Sequence, residues 1–199
     1  KWSLDYIKEV AGDREVPLYD DRPVTHEDGF NEAHAKMKMA DYIDLLKKEP
    51  TTYRIFLYNI MKDVPSLKKD FKFPKIGLHL LKQIPMVFFG GENSRVFMHH
   101  DIDWANIKKA EGYITHLKHG ETLYMPEGYW HYMKYVTPGF SMSLRALPRK
   151  PKHLAKAVYN VFVMRYYDIF MRKRKGQAWI DEKNERAITE THAAHGIPV

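Results

Sequence analysis

The sequence predicts a mainly β domain, a sandwich or barrel, flanked by N-terminal and C-terminal helices. Three observations carry this. Between about residues 76 and 147 the apolar residues fall in short runs rich in aromatic and β-branched side chains: "MVFFGG", "SRVFMHHDID", "GYITHL", "ETLYMP", "WHYMKYV" and "FSMSLRA". Gly90-Gly91, Gly112, Gly120, Gly128 and Pro138-Gly139 punctuate these runs, as turns between short strands do. On either side of them the periodicity is helical. That change of character divides the chain into a domain over residues 1–150 and a helical extension over 151–199.

The elements follow in order. "SLDYIKEVA", residues 3–11, reads as a short helix with Ser3 as its cap and Gly12 at its end. "EVPLYDD" is a short strand. "FNEAHAKMKMADYIDLLKK", residues 30–48, is expected as one helix, since Met37, Ala40, Ile43 and Leu45/Leu46 recur near helical spacing and Pro50 stops it. "TYRIFLYNI", residues 52–60, is a strand, and "VPSLKKDF" a helical turn with Pro65 near its start. The β runs come next. After Pro148 and Pro151, Leu154, Val158, Val161/Phe162, Tyr166 and Ile169/Phe170 form a wide apolar stripe that packs on the barrel or on a second copy. The last residues show little periodicity and read as a tail.

Composition narrows the function. Cysteine is absent, which excludes disulfides and cysteine chemistry and fits a reducing compartment, so a cytoplasmic location is the expectation. No apolar run approaches the roughly 18 residues that span a bilayer, so no membrane partner is expected. The net charge is +7, part of it in Arg172-Lys173-Arg174-Lys175. Such a run contacts nucleic acid or marks the end of a helix, where cations suit the negative pole of the dipole. No nucleic-acid motif accompanies it, so the helix end is favoured and nucleic acid is not an expected partner.

The chemistry gathers around "FMHHDID". Side chains on a strand alternate, so His99, Asp101 and Asp103 share one face, and Met98, His100 and Ile102 take the other. A His-x-Asp pair on one strand offers one ion an imidazole nitrogen and a carboxylate oxygen. If a metal is held here, His99 and Asp101 are the pair, and a third ligand comes from a neighbouring strand. His131 is the candidate, delivered by the turn at Pro126 and Gly128. Two histidines and one carboxylate with open positions opposite are the donor set of non-haem Fe(II) oxygenases. A plainer account stays open: among 11 histidines a His-x-Asp spacing arises by chance, and His131 alone also reads as a structural histidine. His79, His116 and His119 lack a carboxylate at that spacing and read as structural.

Gly120, Pro126, Gly128 and His131 fit the pattern G-x5-P-x-G-x2-H, and "GETLYMPEGYWH" with "MHHD" resembles the cupin-like Jumonji-C proteins of the cupin superfamily. "DIDWANI" and the upstream stretch "LYNIMKDVPSLKKDFKFP" are similar to the same family. The resemblance covers about residues 1–147. It implies a double-stranded β-helix, the cupin jelly-roll barrel. It implies Fe(II) held by His99, Asp101 and His131 as catalytic metal centre, with 2-oxoglutarate as co-substrate. The activity implied is that of a 2-oxoglutarate-dependent dioxygenase, a hydroxylase of a protein side chain or other C–H substrate. The alternative is a non-catalytic or 2-oxoglutarate-independent cupin that binds metal or acts as a scaffold. The C-terminal helices resemble those through which relatives form homodimers. The substrate, protein or small molecule, stays unknown.

Tyr58, Ser143 and Arg145 are the candidate co-substrate contacts. Tyr58 is placed by analogy and also reads as a core tyrosine. Ser141, Ser143 and Arg145 alternate onto one face of the last strand, which looks into the barrel or out to solvent. The chain departs from the family between Asp101 and His131, an interval of about 30 positions. The family's central Gly-x-Lys hairpin has no counterpart there, and Lys108 and Lys109 come too early to replace its lysine. Either a segment between Ile107 and Lys108 is missing from this chain, or the domain is a shortened one.

Overall fold

A computed structural model describes residues 2–22, 33–82, 84–100, 103–104, 113–126, 129, 131–148 and 150–195. They fall into two compact units, residues 1–24, 28–95 and 134–167 in the first, and 25–27, 96–133 and 168–199 in the second.

The first unit starts with α1 (Leu4–Ala11), where Ser3 Oγ accepts from the Tyr6 amide at 3.1 Å, as the cap position predicts. β1 (Glu15–Leu18) pairs antiparallel with β2 (Ala35–Lys38), Val16 opposite Met37. Residues 35–38 were expected as helix. Pairing with β1 holds them extended, and the helix begins only at α2 (Met39–Lys48), while residues 30–32 lie outside the described residues. Lys8 bonds Asp44 at 2.6 Å and Lys47 bonds Asp5, pinning α1 to α2 through exposed pairs of small energetic weight.

A three-stranded antiparallel sheet in the order β3-β4-β8 backs these helices, built from β3 (Arg54–Tyr58), β4 (Met86–Gly90) and β8 (Gly139–Ser143). Between β3 and β4 lie α3 (Ile60–Asp63) and a 3-10 turn, Pro65–Lys69, with Pro65 at its start as expected. Reciprocal bonds between Tyr19 and Arg54, at 2.9 and 2.8 Å, join the β1-β2 ribbon to β3. One sheet face is the core: Ile55, Tyr58, Val87 and Phe89 pack with Ile7, Tyr42, Ile43 and Leu46, with Phe140 and Met142 at its margin. The Tyr42 hydroxyl donates to the Tyr53 carbonyl at 3.0 Å, so this large buried ring carries no orphaned polar atom.

Beyond β4 the chain turns tightly through Gly90 and Gly91. A Cβ on Gly90 would stand 2.3 Å from the Tyr135 ring and 2.5 Å from Ser94 Oγ. Asn93, at φ 70°, donates its amide to the Tyr135 carbonyl, and the Tyr135 amide donates to Ser94.

A second three-stranded sheet runs in the order β6-β5-β7, from β5 (Arg95–His100), β6 (Asp103–Trp104) and β7 (His131–Lys134).

The C-terminal region is helical. α4 (Pro151–Tyr159) passes through a π turn, Asn160–Met164, into α5 (Arg165–Lys175), and Gly176 at φ 61° reverses the chain into α6 (Gln177–His195). The basic run forms the last turn of α5, the position that suits the helix dipole. In the second unit the Asp168 carboxylate accepts from Arg172, Trp179 and Lys183, at 3.0, 2.9 and 2.7 Å, and clamps α5 to α6. The tail expectation therefore fails. α6 has little amphipathic signal, yet Ala, Glu, Lys and Gln favour helix, and Trp179 anchors it.

The fold differs from the expected mainly β double-stranded β-helix. Helix exceeds strand, 41% against 21%, and the described residues hold only small antiparallel sheets and no closed barrel. The reason lies in residues 113–118 and 121–126, expected as strands. Apart from a turn at their junction they have no regular structure, and Tyr113, Ile114, Leu123 and Tyr124 are exposed. A barrel closes only when every strand finds two neighbours, and these segments find none among the described residues.

Candidate metal centre

His99 lies on β5, the central strand of its sheet, and His131 is the first residue of the neighbouring β7. The β-branched and aromatic character of "SRVF" and "HYMK" makes these strands, and Gly120 at φ 86° marks the turn ahead of the second. The expected single strand through Asp103 is a hairpin instead. β5 ends at His100, and β6 returns antiparallel with Asp103 opposite His100 and Trp104 opposite His99. The alternation argument thus extends over His99 and His100 and stops before Asp103. Asp101 lies outside the described residues.

His131 is half-buried, and its Nδ1 lies 3.2 Å from the Tyr129 carbonyl oxygen. A carbonyl only accepts, so this contact favours the tautomer with the proton on Nδ1. That leaves the lone pair on Nε2, the arrangement in which a histidine serves a metal while its other nitrogen is held. Two imidazoles and a carboxylate are a chemically fitting donor set for Fe(II). Among the described residues no three histidine, aspartate or glutamate side chains converge into a metal-sized group.

The candidate co-substrate residues do not share a surface. Tyr58 is buried in the core cluster, and its hydroxyl has no hydrogen-bond partner in bonding geometry. Burial, reinforced by the Asp63 carboxylate, pushes this phenol well above its ordinary pKa. Ser143 stands opposite Met86, and Ser141 opposite Phe88, whereas the alternate pairs Val87–Met142 and Phe89–Phe140 face the core. The serines therefore take the sheet face away from Tyr58, as one of the two sequence readings has it. Arg145 follows the end of β8, half-buried, and its carbonyl accepts from the Leu81 amide at 2.7 Å.

That outer face holds residues the sequence did not single out. Tyr135 lies over Gly90, its hydroxyl 3.4 Å from Ser141 Oγ, and burial raises its pKa. Asp21 pairs with Arg54 at 2.7 Å and with Arg95 at 3.0 Å. Only the pairing register brings these groups together, and no local motif encodes it.

No helix among the described residues is long and apolar enough to cross a membrane. A comparison of the chain with models of protein families and with characterised proteins finds no match.

Proposed function

We propose that this chain is a metal-dependent oxygenase of C–H substrates, with Fe(II) held by His99, Asp101 and His131 and 2-oxoglutarate as co-substrate. The observation that carries the reading is the placement of His99 and His131 on adjacent strands of one sheet, in a chain whose motifs resemble the cupin-like Jumonji-C proteins. The reading rests on the donor set and on strand adjacency, and it needs no closed barrel. In it the two imidazoles bind neutral and Asp101 contributes the one negative charge, leaving a site that attracts an anionic co-substrate. Tyr129 holds His131 in the tautomer that binding requires. When bound, the iron supplies the oxygen chemistry of hydroxylation. The substrate class is a protein side chain or a small molecule with an accessible C–H bond.

The test is anaerobic loading with Fe(II), followed by metal analysis and by succinate release from 2-oxoglutarate in air. Wild type binds one equivalent, and His99→Ala, Asp101→Ala and His131→Ala each retain under about a tenth of it. Wild-type protein that binds no stoichiometric iron sinks the reading. Iron binding without succinate replaces it with a 2-oxoglutarate-independent metal protein.

A separate observation favours a second reading, in which two copies associate through the C-terminal helices. Leu154, Val158, Phe162, Tyr166 and Phe170 are all exposed on α4, the π turn and α5. A run of large apolar side chains of this length is the kind of surface that a partner covers.

A further inference from the structure

A cleft of about 340 Å³ opens in the first unit, between the end of β3 and the start of β4. Lys62 reaches it from α3, Lys68 from the 3-10 turn, and Lys82 from the approach to β4. No carboxylate lines it, and among the described residues none of the three lysines is in an ion pair. Three ammonium groups around one concavity repel one another and focus a positive potential that a bound anion relieves. The wall between them is aromatic. Phe71 and Phe73 meet edge to face at 4.9 Å, Lys82 Nζ stands 6.0 Å from the Phe73 ring centre, and Trp2 supports Phe71 at 6.5 Å. Asn59 adds an amide at the rim.

Charge alone would suit any anion. The paired rings add a surface for a flat apolar group, and the volume falls at the small end of ligand sites, too small for a folded chain. We propose that this cleft binds a small aromatic anion carrying at least two negative charges, of the nucleoside-monophosphate class. Its phosphate sits among Lys62, Lys68 and Lys82, and its ring lies against Phe71 and Phe73. The proposal is independent of the metal reading, since it uses none of the same residues.

Calorimetric titration of the full chain tests it, with adenosine monophosphate, inorganic phosphate, adenosine and hexaglutamate as probes. Adenosine monophosphate binds, and phosphate and adenosine each bind at least about tenfold more weakly, because each keeps only half of the contacts. The pair Lys68→Glu and Lys82→Glu weakens the nucleotide at least about tenfold, and added salt does likewise in the wild type. These lysines are exposed, so the fold survives, and circular dichroism verifies it. Phe73→Leu keeps the volume and loses the flat surface, so it weakens the nucleotide and leaves phosphate unchanged. Three results overturn the proposal: no nucleotide binding at millimolar concentration, phosphate binding as tightly as the nucleotide, or hexaglutamate binding more tightly than both.

Discussion

Tyr58 and Val87 are cross-strand partners, and both side chains point into the core. Simple alternation from Ile55 would send Tyr58 to the opposite face. Between the two the register shifts, and Leu57 adopts φ 52°, a left-handed conformation that few bulky residues take. This bulge turns the tyrosine inward.

The placement gives a clear expectation for Tyr58. Removing an unpartnered buried hydroxyl is neutral or favourable, so Tyr58→Phe leaves stability unchanged or raises it by up to about 1 kcal/mol. Tyr58→Ala empties part of the core and costs about 3–5 kcal/mol. Urea denaturation measures both. Should Tyr58→Phe instead leave stability unchanged and raise KM for 2-oxoglutarate several-fold, Tyr58 contacts the co-substrate and its core placement is not the functional one.

Gly90→Ala is expected to destabilise by about 1–3 kcal/mol, because the added methyl meets the Tyr135 ring and Ser94 Oγ at once. Ser94→Ala acts in the other direction. Its buried hydroxyl lacks a partner, so removal gains up to about 1 kcal/mol. The double variant shows whether Ser94 is what crowds Gly90. A cost unchanged from Gly90→Ala assigns the clash to Tyr135 alone.

Acid should loosen the α5–α6 clamp. Burial by itself raises the Asp168 carboxyl, but bonds from Lys183 and Trp179 and the charges of Lys183 and Arg172 outweigh it and hold the pKa below the ordinary value. A carboxyl depressed in the folded state contributes stability above its unfolded pKa and loses it as pH falls through the folded one. Helicity and Trp179 burial, followed by circular dichroism and quenching, are therefore flat near neutrality and fall below about pH 4. Asp168→Asn weakens the clamp at neutral pH and flattens the acid limb. An acid limb identical to wild type would assign the transition to other carboxylates.

His100→Ala should retain most bound iron while His99→Ala loses it. Adjacent positions on β5 project to opposite sides of the strand, so one of the two serves a ligand shared with β7. Equal loss in both variants places the register one residue from the expected one.

A chain ending at Lys150 should be monomeric by light scattering where the full chain is dimeric. Phe162→Glu or Tyr166→Glu in the full chain should weaken association by at least about tenfold, since each puts a charge into a surface that association would bury. Monomers in every case would leave the stripe without this role.

Much of the chain was legible from local signals. Ser3, Pro65 and Gly12 mark their element ends because capping and turn chemistry act within a few residues. What escaped is non-local. β2 looks helical in "HAKMKM" until β1 pairs with it, and the bulge at Leu57 overrides a plain two-residue alternation. Residues 113–126 carry strand chemistry without strand partners, since propensity sets what a segment prefers and neighbours decide whether it pairs. Of the candidate site, the strands of His99 and His131 and their adjacency follow the motif, while the hairpin after His100 had no signal in the residue types.

The π turn at Asn160–Met164 sets the azimuth of the apolar residues that follow it. Leu154, Val158, Phe162, Tyr166 and Phe170 recur at strict four-residue intervals. On an uninterrupted α-helix each interval overshoots a full revolution by about 40°, so four of them would wind the row about 160° around the rod. One inserted residue unwinds everything beyond it by about 100°, which confines the row to roughly a sixth of the circumference. Deleting one residue from the turn would thus give a more regular helix and a scattered row, separating helix formation from association in a single variant.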